Sequence, residues 1–216
     1  MSKSQVVISG GGPVGLICAY ALARRGVTVT VLDQNSELQD DPRAATTHPA
    51  TLEVLDGLGV IDQVIEQGLV AEEFEFWDRP TGEKVATFDH AALADDTKFP
   101  FVVQCEQFKL AKIFLAKLQG EETATILFNH DVTAIDHTPD GVTVTATTPD
   151  GVQTFEGDWL IGADGGRSVV RKSAGIAFEG FTWAERFLVL STPFDFQAER
   201  GMSFRNYIAD PDEWCN

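Results

Sequence analysis

Cysteine is scarce in this chain. Cys18, Cys105 and Cys215 are the only three in 216 residues, and they lie far apart. With no CxxC pair and no Cys/His cluster, a disulfide framework and a zinc module are both excluded, and the odd count suits a reducing compartment. Basic residues are few as well: 16 Lys and Arg stand against 33 Asp and Glu, a net charge of −17. Such a chain repels polyanions, so neither nucleic acid nor an anionic membrane surface is expected as a partner. No run reaches the roughly 20 apolar residues that a membrane span needs. The apolar stretch after Lys3 is broken by Gly10, Gly11, Gly12 and Pro13 and closed by Arg24 and Arg25, which is not the pattern of a signal peptide. A GxxxxGK[ST] phosphate loop and a GxSxG elbow are absent, and His48, His90, His130 and His137 show no metal-ligand spacing. The expectation is a soluble, cytoplasmic protein with no metal.

What is present is an alternation of short apolar runs and helical patterns. Gln5 to Ser9 is β-branched and apolar, as a buried strand is. A glycine-rich loop follows, then an Ala- and Leu-rich helix over Leu16 to Arg25, then a strand over Val27 to Leu32. Strand, loop, helix and strand within about 30 residues make a βαβ unit. Helices are predicted at Pro49 to Leu58, Ile61 to Gln67 and Glu106 to Leu118. In the last, Phe108, Ala111, Phe114, Leu115 and Leu118 form an apolar stripe. Glu73 to Trp77 alternates charged and aromatic residues, and Lys84 to Phe88 can pair with it across Pro80-Thr81-Gly82.

Val132 to Asp136, Val142 to Thr147 and Val152 to Glu156 read as an antiparallel meander turning at Pro139-Asp140-Gly141 and Pro149-Asp150-Gly151. Trp159 to Gly162 reads as a further buried strand, with a short helix from Ser168. Arg186 to Ser191 and Met202 to Ala209 read as the first strands of a new sheet. A sheet with exposed edges is an awkward place to stop, so a truncated chain is expected.

Gly10-x-Gly12-x-x-Gly15 carries the first chemical signal. Glycines there allow a tight turn, close approach of a pyrophosphate and packing of the helix on the strand, while the helix N-terminus favours negative charge. The loop follows a strand, opens a helix and precedes Asp33 by eighteen residues. A carboxylate at that place can accept bonds from an adenosine ribose, although an aspartate there also fits a turn. A dinucleotide site is expected. The chain does not continue as repeated βαβ units, which argues against a plain nicotinamide dehydrogenase.

Three segments give the chain a family resemblance: VVISGGGPVGLICAYALARRGVTVTVLDQ, DPRAATTHPATLEVLDGLGV and GDWLIGADGGRSVVRKSAGI. With FPFVVQCEQFKLAKIFLAKL beside them, the sequence resembles the FAD-dependent aromatic hydroxylases. These are the single-component group A flavoprotein monooxygenases of the p-hydroxybenzoate hydroxylase type. The Asp-Gly motif in the third segment is the most discriminating, because generic dinucleotide-binding proteins lack it.

The resemblance implies an α/β fold: a Rossmann-like FAD-binding domain with an antiparallel β-meander, plus the start of a mixed β-sheet substrate domain. Residues 1–72 and 99–182 would form the first domain, and 73–98 and 183–216 part of the second. It implies that Gly10, Gly12, Pro13, Val14 and Gly15 bind the FAD pyrophosphate, and that Asp33 and Gln34 lie at the adenosine ribose. Arg43 would sit by the flavin, Gln104 would bond the ribityl chain, and Val132 would present backbone to the adenine. Asp164 would serve the FAD, and Arg167 and Arg171 would face the phosphates of NADPH or NADH. Other readings remain for several of them: a solvated loop arginine at Arg43, a strand-end polar residue at Gln104, core packing at Val132 and helix-surface arginines at Arg167 and Arg171.

The implied activity is hydroxylation of a small aromatic substrate, usually a phenol, using NAD(P)H and O2. Phe74, Phe76 and Trp77, and the stretch Arg186 to Ala209, would start the sheet against which the ring sits, with Met202, Phe204 and Tyr207 as candidates to line it. No catalytic base is assignable, and His48 reads as a loop histidine. A homodimer is left open. The alternatives are another flavoenzyme of this fold, such as an epoxidase or an oxidase, and an inactive fragment that binds FAD weakly. The latter arises because the family's later Gly-Asp motif is absent; Gly157-Asp158 belongs to the Asp-Gly segment.

Overall fold

The computed structural model describes residues 4–40, 44–184 and 186–216. The chain divides into two compact units: Met1–Asp41 with Gln107–Arg186, and Pro42–Glu106 with Phe187–Asn216. The first unit opens with β1 (Ser4–Ser9), α1 (Pro13–Ala23) and β2 (Val29–Leu32). The second contributes β3 (Thr46–Thr47), α2 (Pro49–Gly57), α3 (Ile61–Gln67), β4 (Leu69–Ala71), β5 (Glu73–Asp78), β6 (Glu83–Asp89), a 3-10 turn at His90–Leu93 and β7 (Val102–Gln104). The first resumes with α4 (Gln107–Leu118), β8 (Ala124–Leu127), β9 (Asp131–Thr138), β10 (Gly141–Thr148), β11 (Gly151–Gly162) and α5 (Val169–Ser173). Then α6 (Phe196–Arg200) and β12 (Asn206–Ala209) return to the second. No helix among the described residues is long and apolar enough to cross a membrane.

The first unit is built on a six-stranded sheet in the order β8-β2-β1-β11-β10-β9. β8, β2, β1 and the C-terminal half of β11 run parallel, and the β9-β10-β11 part is the expected antiparallel meander. One expectation needs correcting. The strands anticipated at Val152 to Glu156 and Trp159 to Gly162 are a single strand, β11. Its first half pairs with β10 and its second half with β1, and Gly157 belongs to both ladders. Gly and Asp both weaken strands, yet the strand runs unbroken through Gly157-Asp158. Here the glycine eases a tight place: a Cβ on it would press on the Val7 side chain at 3.0 Å, the kind of close approach that glycine in a strand often marks.

Val7, Leu32, Val132, Val142, Val144, Ala146 and Phe155 form one buried cluster on this sheet. Helix α1 packs on α4 through Tyr20 and Phe114, whose rings meet edge to face at 5.5 Å. The buried positions of α4 are Leu110, Ala111, Ile113, Phe114 and Leu118. The stripe is thus displaced slightly from the one expected, since Phe108 and Leu115 are only half-buried.

The second unit holds two three-stranded sheets, β12-β5-β6 and β3-β7-β4. The β5–β6 hairpin forms as expected, its turn braced by Asp78, whose carboxylate accepts from the Thr81 N–H at 3.0 Å. The strand expected over Arg186 to Ser191 is absent, and the one expected over Met202 to Ala209 begins at Asn206. A strand exists only where a partner supplies its hydrogen-bond ladder. Among the described residues nothing pairs with 186–191, and its side chains stand in solvent, Leu188 at 81% exposure.

Phe114 is completely buried. Truncation of such a ring costs roughly 3–5 kcal/mol in lost transfer energy plus cavity. Urea denaturation of Phe114→Ala is expected to show that loss; a change below about 1 kcal/mol would mean the α1–α4 packing is not as described.

Candidate functional site

At the end of β1 the chain turns at Gly10, with φ +105°, and enters α1 with Gly12 at its N-cap and Pro13 in the first turn. Two backbone bonds anchor the loop across the strand ends: Gly10 N–H to Leu32 C=O at 2.8 Å and Ala163 N–H to Ser9 C=O at 2.7 Å. The three motif glycines do different things. A Cβ on Gly10 would collide with the Ala163 carbonyl, and one on Gly15 with the Gly10 carbonyl. Those two glycines let loop, helix and β11 touch. At Gly12 nothing lies within 4 Å of the missing Cβ, so that side of the loop is open. The N-cap has no side-chain partner, and Pro13 has no N–H to offer. The remaining helix N–H groups and the helix dipole there favour an anion. Val14 is exposed beside them.

Asp33 lies at the end of β2. Its Oδ2 accepts from the Gly11 N–H at 2.6 Å, and its Oδ1 accepts from the backbone N–H and the Nδ2 of Asn35, both at 2.9 Å. A carboxylate offers about four lone-pair positions. One is spent on holding the loop to β2 and two on the turn at Asn35, and one is left for a ligand hydroxyl. Gln34 is exposed.

Asp164 follows β11. Its Oδ2 accepts from the N–H groups of Val169 at 2.7 Å and Val170 at 3.1 Å, while Ser168 Oγ accepts from Arg171 N–H at 2.9 Å. Together they cap α5. The other oxygen, Asp164 Oδ1, is buried and has no hydrogen-bond partner among the described residues. An unsatisfied buried acceptor costs about 1–3 kcal/mol, which a hydroxyl donated by a bound cofactor would recover. The open side of Gly12, the spare acceptor of Asp33 and this orphaned oxygen are what an FAD site requires, so the residues present fit the group.

Other expected residues are less free. Arg171 donates to the Gly166 carbonyl at 2.9 Å and lies 4.4 Å above the Phe178 ring, so its guanidinium is engaged by its own segment. Arg167 is exposed. The Val132 side chain is core, 6% exposed, on the edge strand β9, beside a register shift opposite Thr145 and Ala146. Gln104, at the end of β7, accepts from Thr46 Oγ1 at 2.8 Å through Oε1, which leaves its amide NH2 to donate. Arg43 lies outside the described residues.

The β12-β5-β6 sheet of the second unit has two unlike faces. On one, Phe74 stacks on Phe88 at 5.0 Å and Phe76 on Tyr207 at 4.9 Å. Arg205 lies 5.4 Å from the centroids of Phe74 and Tyr207 and donates to the Tyr207 hydroxyl at 2.5 Å. His90 tilts against Phe74. His48, at the N-cap of α2, titrates below its ordinary range, through partial desolvation first and then the charges of Arg205 and His90. Trp77 lies on the other face, where its Nε1 donates to Glu75 and Asn206. Phe204 is exposed and Met202 half-buried.

Sequence reasoning missed Glu75. In EFEFW the glutamates read as the solvent side, yet Glu75 is 1% exposed. Burial pushes its carboxyl up, but hydrogen bonds from Lys84 and the Ser203 N–H outweigh burial, and the net direction is down.

The family model for an FAD binding domain matches residues 3–213. Para-nitrophenol 4-monooxygenase of Pseudomonas sp. (strain WBC-3) is 32% identical over 97% of this chain and 52% of its own length. Pentachlorophenol 4-monooxygenase of Sphingobium chlorophenolicum is 29% identical over 99% of this chain and 39% of its own. The crystal structure of p-nitrophenol 4-monooxygenase from Pseudomonas putida superposes with a TM-score of 0.91 at 33% identity, covering 98% of this chain and 53% of that one. The chain therefore spans about half the length, or less, of the relatives it matches.

A folded Glu75 that resists protonation contributes stability fully above its ordinary value of 4.5 and loses it as pH falls through the depressed folded value. Glu75→Gln removes that contribution. Urea midpoints measured from pH 7 down to pH 3 are expected to converge between the unaltered chain and the variant; a gap that stays constant would show that Glu75 is not held ionised.

Proposed function

Because the chain belongs to the FAD binding domain family, we propose that it holds FAD for a monooxygenase that hydroxylates a phenol-type aromatic ring. The observation that carries this reading is the orphaned Asp164 Oδ1 beside a glycine loop with one open side. The relatives named for para-nitrophenol and pentachlorophenol support a phenol as the substrate class.

In this reading the N–H groups at Gly12, Val14 and Gly15, with Pro13 fixing the helix start, receive the pyrophosphate. Asp33 takes a ribose hydroxyl with its spare lone pair, and Gln34 lies beside it. Asp164 Oδ1 accepts from a hydroxyl of the flavin half, and the edge backbone at Val132 meets the adenine. When bound, FAD supplies electron transfer from NADPH or NADH and the reaction with O2. Overall, one oxygen atom enters the ring and the other leaves as water. In this reading the exposed Arg167 meets a nicotinamide cofactor's phosphates, and Arg171 does so only by giving up its own partners. The Phe74–Phe76–Tyr207 face receives the ring.

The test uses absorbance. After incubation with FAD and desalting, the chain is expected to retain the visible flavin bands. Gly12→Glu adds a side chain into open space, at a backbone conformation any residue adopts. It is expected to leave the thermal midpoint unchanged and abolish flavin retention, because a carboxylate then occupies and repels the phosphate position. Flavin retention by Gly12→Glu equal to that of the unaltered chain would overturn the assignment of the loop.

A further inference from the structure

Glu75 is buried in the centre of the β12-β5-β6 sheet, where a lone carboxylate would be costly. It is not alone. Oε1 accepts from Lys84 Nζ at 2.7 Å, and Oε2 accepts from Trp77 Nε1 and from the Ser203 N–H, each at 3.1 Å. Its own backbone N–H donates to the Arg205 carbonyl at 3.0 Å. The segment it grips is stiffened internally. Ser203 Oγ donates to the Arg205 carbonyl at 2.9 Å, Asn206 Nδ2 donates to the Ser203 carbonyl at 2.6 Å, and Trp77 Nε1 also reaches Asn206 Oδ1 at 3.0 Å. Glu75 thus holds Ser203 by its carboxylate and Arg205 by its backbone N–H. Asn206 is in register with Glu75 and Tyr207 with Phe76. Alternation along a strand then sends Asn206 to the Glu75 face, and Arg205 and Tyr207 to the aromatic face.

We propose that Glu75 is a positioning residue for an anionic aromatic substrate. By pinning Ser203 to Asn206 onto β5, it sets the Arg205–Tyr207 pair over the Phe74–Phe76 face. There the guanidinium and the phenol hydroxyl meet a negatively charged oxygen on the ring. A charged acceptor suits this task better than a neutral one, because charge-assisted bonds are shorter and stronger. The identity of the ring rests on the hydroxylase reading; the pinning does not.

The probe is 4-nitrophenolate, titrated into the FAD-treated chain and followed by its absorbance shift, with backbone hydrogen exchange over 203–207 measured in parallel. Arg205→Ala is expected to weaken binding by roughly ten-fold or more, the scale of a charge-assisted bond. Glu75→Gln is expected to weaken it by several-fold and to speed exchange over 203–207. The decisive comparison is the double variant: if Glu75 acts through Arg205, Glu75→Gln costs nothing further once Arg205 is Ala. Additive losses would mean a merely structural role and overturn the proposal. Binding by Glu75→Gln equal to that of the unaltered chain would overturn it as well, while leaving the hydroxylase reading intact. No binding by the unaltered chain would remove the substrate reading of this face and the proposal with it. Should Glu75→Gln fail to fold, Asn206→Ala carries the same test without unpairing a buried charge.

Discussion

The first unit depends on one close approach: the carbonyls of Gly10 and Ala163 occupy the space that side chains at Gly15 and Gly10 would need. That contact brings the start of α1, the end of β1 and the end of β11 to one place. The helix N-terminus, Asp33 and Asp164 are all delivered there by strand ends of the same sheet. Asp33 and Asp164 each spend part of their carboxylate on the scaffold, fastening the loop and capping α5. What is left over, a lone pair on one and a whole oxygen on the other, is the chemistry available to a ligand. Support and recognition are thus divided within single carboxylates.

The second unit divides the same two tasks between the faces of one thin sheet. Its aromatic side is made from residues whose type announces them, and period-2 alternation places them correctly. Its polar side is not announced. A glutamate between two phenylalanines is read as solvated unless something covers it, and the cover comes from Ser203 and Asn206, more than 120 residues further on. Lys84, one strand over, supplies the counter-charge. Such an arrangement is invisible to local pattern because every partner is distant or ordinary.

This explains what was readable in the sequence. The glycine spacing, Asp33 and the Asp-Gly motif were readable because each encodes a backbone requirement within a few residues. The meander was readable because Pro-Asp-Gly turns are local signals. The continuity of β11 through Gly157 was not, since the tight packing there comes from Val7, across the sheet. The segment 186–191 has the composition of a strand, but composition cannot supply a neighbour. Arg171 shows the converse. Its position left two readings open, a phosphate-facing arginine and a helix-surface one, and its contacts to a nearby backbone carbonyl and the Phe178 ring are ones that spacing does not announce.

The double pairing of β11 also bears on how the chain is made. Its first half closes a hairpin with β10, a contact between near neighbours in sequence, whereas its second half must find β1, about 150 residues earlier. Local pairings form readily and distant ones late. During synthesis the N-terminal strand and its glycine loop therefore wait, half-sheltered, until Ala163 has left the ribosome, and only then does the cradle at Gly10 close. Until then β1 has one unpaired edge, the kind of surface that invites a wrong partner.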